Sequence, residues 1–190
     1  SVNCYKYMDK KIGLFWLRDD FRIKKNNALI EATRNHDQVV VFYLYKKSAY
    51  NNQEAQKWWL SKSLINFQKN LNDFNINLEL IKTDSFKIFF DKLLKEKDIS
   101  VYWNKVYEPD YLKFDEYLLK NLKNKNIPFK ICKGNVLNEI HEVKKGDGTP
   151  FKVFTPFWRN AERYYIEKIP PKENTMKKCL RKKNYLQDCI

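Results

Sequence analysis

The sequence has very little glycine, with four Gly in 190 residues. None of them forms G-x-G-x-x-G or G-x-x-x-x-G-K-S/T. A backbone approaches a phosphate closely only where glycine stands at such positions, because any side chain there would block the contact. A dinucleotide-binding fingerprint and a P-loop are therefore both absent. We do not expect an ordinary NAD-dependent enzyme or an NTPase.

Histidine and paired cysteines are also scarce. The chain has two His, His36 and His141, and four Cys without any C-x-x-C spacing. Zinc or iron–sulfur ligation is therefore not expected. A Ser-His-Asp or Cys-His nucleophile site has almost no histidine to draw on. Unpaired cysteines of this kind indicate a reducing, cytoplasmic compartment.

Long apolar runs are missing as well, and acidic residues are outnumbered. No stretch of about 18 apolar residues occurs, so no membrane span is predicted. The formal net charge is +14. One interpretation is nucleic-acid binding through neutralised phosphates. The other is a solvated Lys-rich surface, because most of the excess Lys is scattered between core positions. The densest basic cluster lies in the tail, at 177–183.

Apolar runs alternate with helical patterns along the chain. Short apolar or β-branched runs predict strands at 12–17, 39–44, 78–81, 101–103 and 129–132. Apolar residues at helical spacing predict helices at 26–35, 54–74, 86–96 and 111–123, and Asn26 or Asn27 is predicted to cap the first of them. Such alternation predicts an α/β fold: a five-stranded parallel, doubly wound, Rossmann-like sheet with helices on both faces.

Two helical segments carry more specific predictions. Within 54–74 the spacing predicts a buried stripe formed by Trp59, Leu60, Leu64, Phe67, Leu71 and Phe74. Further along, Thr155 is predicted to cap another helix that has Pro156 at its first position. The pair Pro170-Pro171 is predicted to end that helix.

One edge of the predicted sheet collects polar and aromatic residues. In an open α/β sheet, ligands bind outside the carboxyl ends of the strands. The segments predicted to meet there are 18–22, 43–45 and 104–111. Their Arg, carboxylate and Tyr side chains suit a flat, conjugated ligand with a polar rim. The alternative is that Arg18, Asp20 and Arg22 form a salt-bridged loop that only fixes a turn.

Four motifs follow one another in a fixed order. They are 16–29 (WLRDDFRIKKNNAL), 57–64 (KWWLSKSL), Asn104 with 107–109 and 115–116, and 151–157 (FKVFTPF). Together they resemble the N-terminal domain of the DNA photolyase/cryptochrome family, whose opening motif is W-F-R-x-D-L-R-x-x-D-N-x-A-L. The similarity covers roughly residues 11–168. Lys25 departs from it, since the family usually has Asp at that position.

The resemblance implies a light-harvesting role. In the family, this α/β domain holds methenyltetrahydrofolate or an 8-hydroxy-deazaflavin and passes light energy to FAD in a helical domain. The reduced flavin then splits pyrimidine dimers in DNA. We assign 1–168 to the α/β domain and 169–190 to a basic tail that starts the interdomain linker. The FAD domain would lie beyond Ile190, so we expect no DNA repair by this chain alone and an FAD domain as partner, in cis or in trans.

The predicted chromophore-binding residues are Arg18, Asp20, Arg22, Tyr43, Asn104, Tyr107, Glu108, Asp110 and Tyr111. Asp110 and Tyr111 match the positions at which folate-binding members have an Asn-Glu pair that holds the pterin. Asp110 could accept hydrogen bonds from pterin amino groups, whereas Tyr111 could only stack or offer its hydroxyl. No catalytic residue and no metal ligand are predicted.

A docking surface is predicted as well. It consists of Phe157, Trp158, Tyr164 and Tyr165, which would be exposed without a helical domain and would bind a partner or a second copy. The alternative is that their helix folds back onto the sheet. A second functional hypothesis is a basic nucleic-acid-binding α/β module; it explains the charge but not the ordered motifs.

Overall fold

The computed structural model describes residues 12–46, 54–132, 165–166 and 176–189. The strands are β1 (Ile12–Leu17), β2 (Val39–Tyr45), β3 (Asn77–Lys82), β4 (Ile99–Asn104), β5 (Phe129–Cys132) and β6 (Tyr165–Ile166). The helices are α1 (Asn27–Asn35), α2 (Glu54–Asn72), α3 (Phe86–Leu93), α4 (Pro109–Asn124) and α5 (Tyr185–Cys189). None of these helices has the length and apolar character needed to cross a membrane.

The strands form one parallel sheet in the order β3-β2-β1-β4-β5-β6. Helices α1 and α2 cover one face, and α3 and α4 cover the other. The predicted doubly wound α/β fold and its five strands are confirmed, while β6 was not predicted. Since β1 pairs with both β2 and β4, the strand order reverses there. In open α/β sheets, ligands bind in the crevice at such a switch point; here it lies between the loops that follow β1 and β4 and is named the cleft.

Strand β2 shows why the central strands are continuous apolar runs. Val40 and Phe42 point into the core beneath α3 and α4, whereas Val39 and Val41 point into the core beneath α1 and α2. A strand buried on both faces needs apolar residues at every position, and β-branched residues fit the pleated backbone well.

The ends of the helices follow local chemistry. Ser85 caps α3, and Pro109 occupies the first turn of α4. Helix α2 ends at Asn72, two residues before the predicted end, and Asn75 then turns the chain with a φ of 56°. Asparagine tolerates this left-handed conformation better than most residues, because its short polar side chain bonds locally.

The predicted buried stripe of α2 is wrong at Trp59, which is 58% exposed. Helix α2 rests on the sheet through Leu64, Phe67 and Leu71, all in its C-terminal two thirds. In the first turns of the helix, Trp58 and Trp59 lie on the surface, because the sheet does not cover these side chains. The spacing of apolar residues shows which side of a helix faces the core, but it does not show how far the sheet extends beneath that helix.

The helix predicted from Pro156 is wrong at its C-terminal end. Tyr165 and Ile166 form β6, whose backbone pairs in parallel with Ile131 and Cys132 of β5. Pairing satisfies backbone groups that an edge strand would otherwise leave open, which favours strand over helix at this point. Residues 156–164, most of the predicted docking surface and His141 lie outside the described residues.

The last described segment, 176–189, runs along the domain and is named here the C-terminal segment. The Cys179 amide donates to the Phe74 carbonyl at 2.9 Å, and the Leu180 amide donates to the Asp37 carbonyl at 2.7 Å. Leu186 is fully buried in the core beneath α3 and α4. Apolar anchors and backbone hydrogen bonds thus hold this segment against the α/β body.

Gly13 is required by a close approach of His36. A Cβ atom on Gly13 would lie 2.8 Å from the His36 ring, which is itself hydrogen-bonded to the Tyr102 hydroxyl at 2.8 Å. We expect Gly13→Ala to lower the free energy of unfolding by about 1–2 kcal/mol, because a buried ring has little room to move. Urea denaturation measures the change. In the background of His36→Ala the same substitution should cost much less; an equal cost would show that another contact is responsible.

Candidate functional site

Arg18 and Asp115 form a buried ion pair at the β1 end of the cleft. Both nitrogens of the guanidinium fork bond to the carboxylate, one of them at 3.0 Å. Arg18 is 4% exposed and Asp115 is 0% exposed. The pair joins the end of β1 to α4 across 97 residues of sequence. It therefore ties together the two loops that border the cleft.

Aromatic rings enclose the Arg18 side chain. The central carbon of its guanidinium lies 4.1 Å from the centroid of Trp16 and 4.8 Å from that of Tyr111, distances typical of cation–π contacts. Burial raises the pKa of the Asp115 carboxyl, and the adjacent Arg18 charge opposes that shift by favouring the ionised form. Arg18 and Tyr111, both predicted to bind the chromophore, are thus linked by a contact within the protein.

Asn104 bonds to the N-terminus of α1. Its Oδ1 accepts a hydrogen bond from the Ala28 amide at 3.1 Å, and its Nδ2 donates to Asn26 Oδ1 at 2.7 Å. Asn26 Oδ1 also accepts from the Leu29 amide at 3.2 Å. In dinucleotide-binding folds these helix amides face a phosphate. Here two asparagine side chains take that place, in agreement with the missing glycine loop.

The loop between β1 and α1 is held by local contacts. Arg22 Nε and the Asp20 carboxylate form an ion pair at 2.8 Å, and the Arg22 amide also donates to that carboxylate. The bond to Asp20 raises the pKa of Arg22. Lys25, the departure from the family motif, adopts a φ of 59°. The turn closes nevertheless, since the Asn26 amide donates to the Ile23 carbonyl at 3.3 Å.

Two exposed carboxylates stand on the other side of the cleft, where β4 leads into α4. Glu108 is the N-cap residue of α4, but its side chain makes no capping hydrogen bond. Asp110 lies in the first turn of the same helix, and both residues are exposed. The half-buried ring of Tyr107 precedes them and lies 4.8 Å from the buried Lys105 ammonium. Acceptors thus stand next to an aromatic surface at the carboxyl edge of the sheet.

The structure divides the predicted chromophore-binding residues into two groups. Arg18, Tyr43 and Asn104 are buried and serve the framework of the cleft. The predicted residues that stay partly or fully exposed are Asp20, Arg22, Tyr107, Glu108, Asp110 and Tyr111. The partner of Arg18, Asp115, was not among the predicted site residues, although it belongs to one of the motifs. Within the described ranges, no group of acidic, His and Cys side chains is arranged to hold a metal ion.

The structure is a parallel α/β domain with a switch point at β1, and its sequence has no glycine-rich phosphate-binding loop. A family model described as DNA photolyase matches residues 13–174, which is most of the chain. The chain therefore belongs to the DNA photolyase family, and it corresponds to the N-terminal domain.

Individual relatives agree with this assignment. A deoxyribodipyrimidine photo-lyase of Agrobacterium fabrum is 30% identical over 168 residues, covering 87% of this chain and 35% of the relative. Cryptochrome-1 of Arabidopsis thaliana is 26% identical over 152 residues, covering 78% of this chain and 22% of the relative. The chain spans about a third of the length of the photolyases that it matches, such as the Agrobacterium protein at 35%.

Solved structures show the same fold. A bacterial class III photolyase from Agrobacterium tumefaciens superposes with a TM-score of 0.64 at 26% identity, covering 94% of this chain and 38% of the other. An archaeal photolyase from Sulfolobus tokodaii, solved with two FAD molecules, gives a TM-score of 0.61 at 19% identity, covering 88% of this chain and 37% of the other. The second likeness concerns the fold alone.

Proposed function

We propose that this chain is the light-harvesting, chromophore-binding domain of a photolyase-type protein of light-driven DNA repair. The observation that carries the proposal is the pair of exposed carboxylates, Glu108 and Asp110, beside Tyr107 and Tyr111 at the switch-point edge. Ligands of open α/β sheets bind at this edge. A family member with such an edge is suited to an aromatic heterocycle with polar substituents.

The chemistry of these side chains fits the antenna chromophores of the family. The amino and ring N–H groups of a pterin are donors, and carboxylates are acceptors, so Glu108 and Asp110 are the residues that would orient it. Tyr107 and Tyr111 would supply aromatic contacts along its plane. A bound methenyltetrahydrofolate or 8-hydroxy-deazaflavin would absorb near-ultraviolet or blue light. FAD is a third candidate, because the Sulfolobus photolyase holds two FAD molecules, which implies a novel light-harvesting cofactor in that protein.

Buried residues would keep the edge in shape rather than touch the ligand. The Arg18–Asp115 pair fixes α4 relative to β1, and Asn104 fixes α1 relative to β4. Their removal would displace both borders of the cleft at once. A site held by such a framework is preorganised, which lowers the cost of ordering on binding.

A second domain that holds FAD is part of the proposal. The photolyases that match this chain are about three times as long, as the 35% coverage of the Agrobacterium relative shows. We propose that such a domain, in cis or in trans, receives the light energy and contacts damaged DNA. The chromophore edge would then supply excitation and take no part in bond breaking.

Titration of the purified chain with each chromophore tests the proposal. We expect Glu108→Gln and Asp110→Asn each to weaken binding about tenfold or more, because a hydrogen bond to a charged group contributes about 1.5–3 kcal/mol. The loss of chromophore fluorescence on binding measures the affinity. The matched control is Asp98→Asn, since Asp98 is also exposed but precedes β4 at the opposite edge of the sheet. Equal weakening by the control, or no binding by the unchanged chain, would contradict the proposal.

A further inference from the structure

On its exposed side, helix α2 carries a tryptophan and two lysines in a row along the helix axis. Trp58, Lys62, Ile65 and Lys69 follow one another at steps of four, three and four residues, so they share one face of the helix. All four are exposed, with Trp58 at 64% and Ile65 at 71%. They are named here the α2 face, which is about 17 Å long at 1.5 Å per residue.

The α2 face is free of negative charge. No Asp or Glu occurs between 55 and 72, whereas α4 mixes its surface lysines with Asp110 and Glu116. Lys62 Nζ lies 4.7 Å from the Trp58 ring, so a cation stands directly beside the exposed indole. A solvated helix that only needs solubility usually carries both signs of charge. An unmixed basic face with an exposed ring favours a polyanionic partner.

The C-terminal segment extends this basic surface. Both terminal nitrogens of Arg181 lie 3.5 Å from Asn72 Oδ1 at the end of α2. Residues 174–187 contain no acidic residue, and Lys178 and Lys183 are exposed. Arg181 therefore brings a second basic stretch to the end of the α2 face, beyond Lys69.

We propose that the α2 face and Arg181 bind a single strand of nucleic acid, independently of the chromophore edge. A base would stack on Trp58, while Lys62, Lys69 and Arg181 would contact successive phosphates. Such a combination of an aromatic platform and a basic track is the arrangement with which proteins hold single strands without sequence preference. A duplex keeps its bases stacked on each other and offers the indole no free base.

The unchanged 190-residue chain and its variants should be compared by fluorescence anisotropy with a labelled single-stranded oligothymidylate. We expect Trp58→Ala to weaken binding about tenfold, because stacking on one aromatic residue contributes on the order of a factor of ten per base. The double variant Lys62→Gln, Lys69→Gln should reduce the slope of log affinity against log salt by about 1.4, at about 0.7 per phosphate contact. Since these side chains are exposed, circular dichroism should show an unchanged fold.

A double variant with the same change of charge is the matched control. Lys113→Gln with Lys120→Gln removes two exposed lysines from α4 and should leave the salt slope and the effect of Trp58→Ala as they are. Glu108→Gln should also bind the strand normally, so that failure of the chromophore proposal and failure of this one are distinguishable.

Several results would overturn the proposal. One is that the unchanged chain fails to bind the strand at about 50 mM salt, where phosphate contacts are strong. Another is that the α4 control reduces the salt slope as much as the α2 double variant does, and a third is that Trp58→Ala binds with full affinity. Equal competition by a duplex of the same length would show phosphate attraction without stacking. Self-association that Trp58→Ala abolishes in sedimentation would assign the face to a second copy of the chain instead.

Discussion

Asp115→Ala is expected to lower the free energy of unfolding by about 3–5 kcal/mol. The substitution leaves the Arg18 guanidinium buried without its counter-charge, and that is the costly way to break a buried ion pair. Trp16 and Tyr111 would retain their contacts with the cation but supply no acceptor for its donors. Urea denaturation followed by far-ultraviolet circular dichroism gives the free energy, with the slope checked for two-state behaviour.

Two comparisons separate this effect from ordinary loss of packing. Arg18→Met combined with Asp115→Leu removes both charges and should be more stable than Asp115→Ala, because no unpaired ion remains. The half-exposed pair of Arg22 and Asp20 is the matched control, and Arg22→Met should cost less than about 1 kcal/mol. A small effect of Asp115→Ala, similar to that of Arg22→Met, would show that the buried pair does not hold the cleft together.

Glu79→Ala is expected to release the C-terminal segment at a cost of about 2–4 kcal/mol. Glu79 is buried on β3, and its two carboxylate oxygens accept from the Leu186 amide at 3.1 and 3.2 Å. A hydrogen bond to a charged group contributes about 1.5–3 kcal/mol, and detachment would also expose Leu186. Hydrogen exchange should accelerate at 185–189 but not in the central strand β1. Unchanged protection of 185–189 would contradict this account of how the segment is held.

Comparison with Glu79→Gln isolates the pH dependence of stability that the Glu79 carboxyl contributes, and the sign of that dependence follows from burial. Burial raises the pKa of the Glu79 carboxyl above 4.5, although bonds from the Leu186 and Gln187 amides favour the ionised form. The folded state therefore binds the proton more tightly than the unfolded state. The stability contributed by this group is present below pH 4.5 and declines as the pH rises through the folded-state pKa. Relative to Glu79→Gln, the unchanged chain should lose stability over that range; a gain would show that the amide bonds dominate.

Much of the fold can be predicted because its strands are local features of the sequence. Strands β1 and β5 have the predicted bounds, and β1 is a short apolar run between Lys11 and Arg18. Helix α1 begins after Asn26, which is one of the two predicted caps. Local sequence patterns do not show how far the sheet or the helices packed against an element extend. For that reason the periodicity wrongly predicts a buried Trp59, and it does not reveal β6, which exists only by pairing with β5.

The sequence predicts at which edge of the sheet the candidate site lies, but not the contacts that hold the site together. Parallel strands bring their carboxyl ends together, so the strand pattern alone places the loops after β1 and β4 at one edge of the sheet. The pairing of Arg18 with Asp115 does not follow from spacing, because the two residues are 97 positions apart and meet only through the packing of α4. The role of Glu79 is hidden in the same way, since its partner amides lie in α5, 107 residues further along.

The central claim is that the edge formed by the loops after β1 and β4 holds an antenna chromophore. The most direct test is the near-ultraviolet and visible absorption spectrum of the purified chain after incubation with methenyltetrahydrofolate, 8-hydroxy-deazaflavin or FAD and removal of unbound ligand. We predict a stoichiometric chromophore band that survives gel filtration and disappears in the combined variant Glu108→Gln, Asp110→Asn. A spectrum showing only protein absorption after every incubation would contradict the claim, and so would a band that the combined variant retains in full.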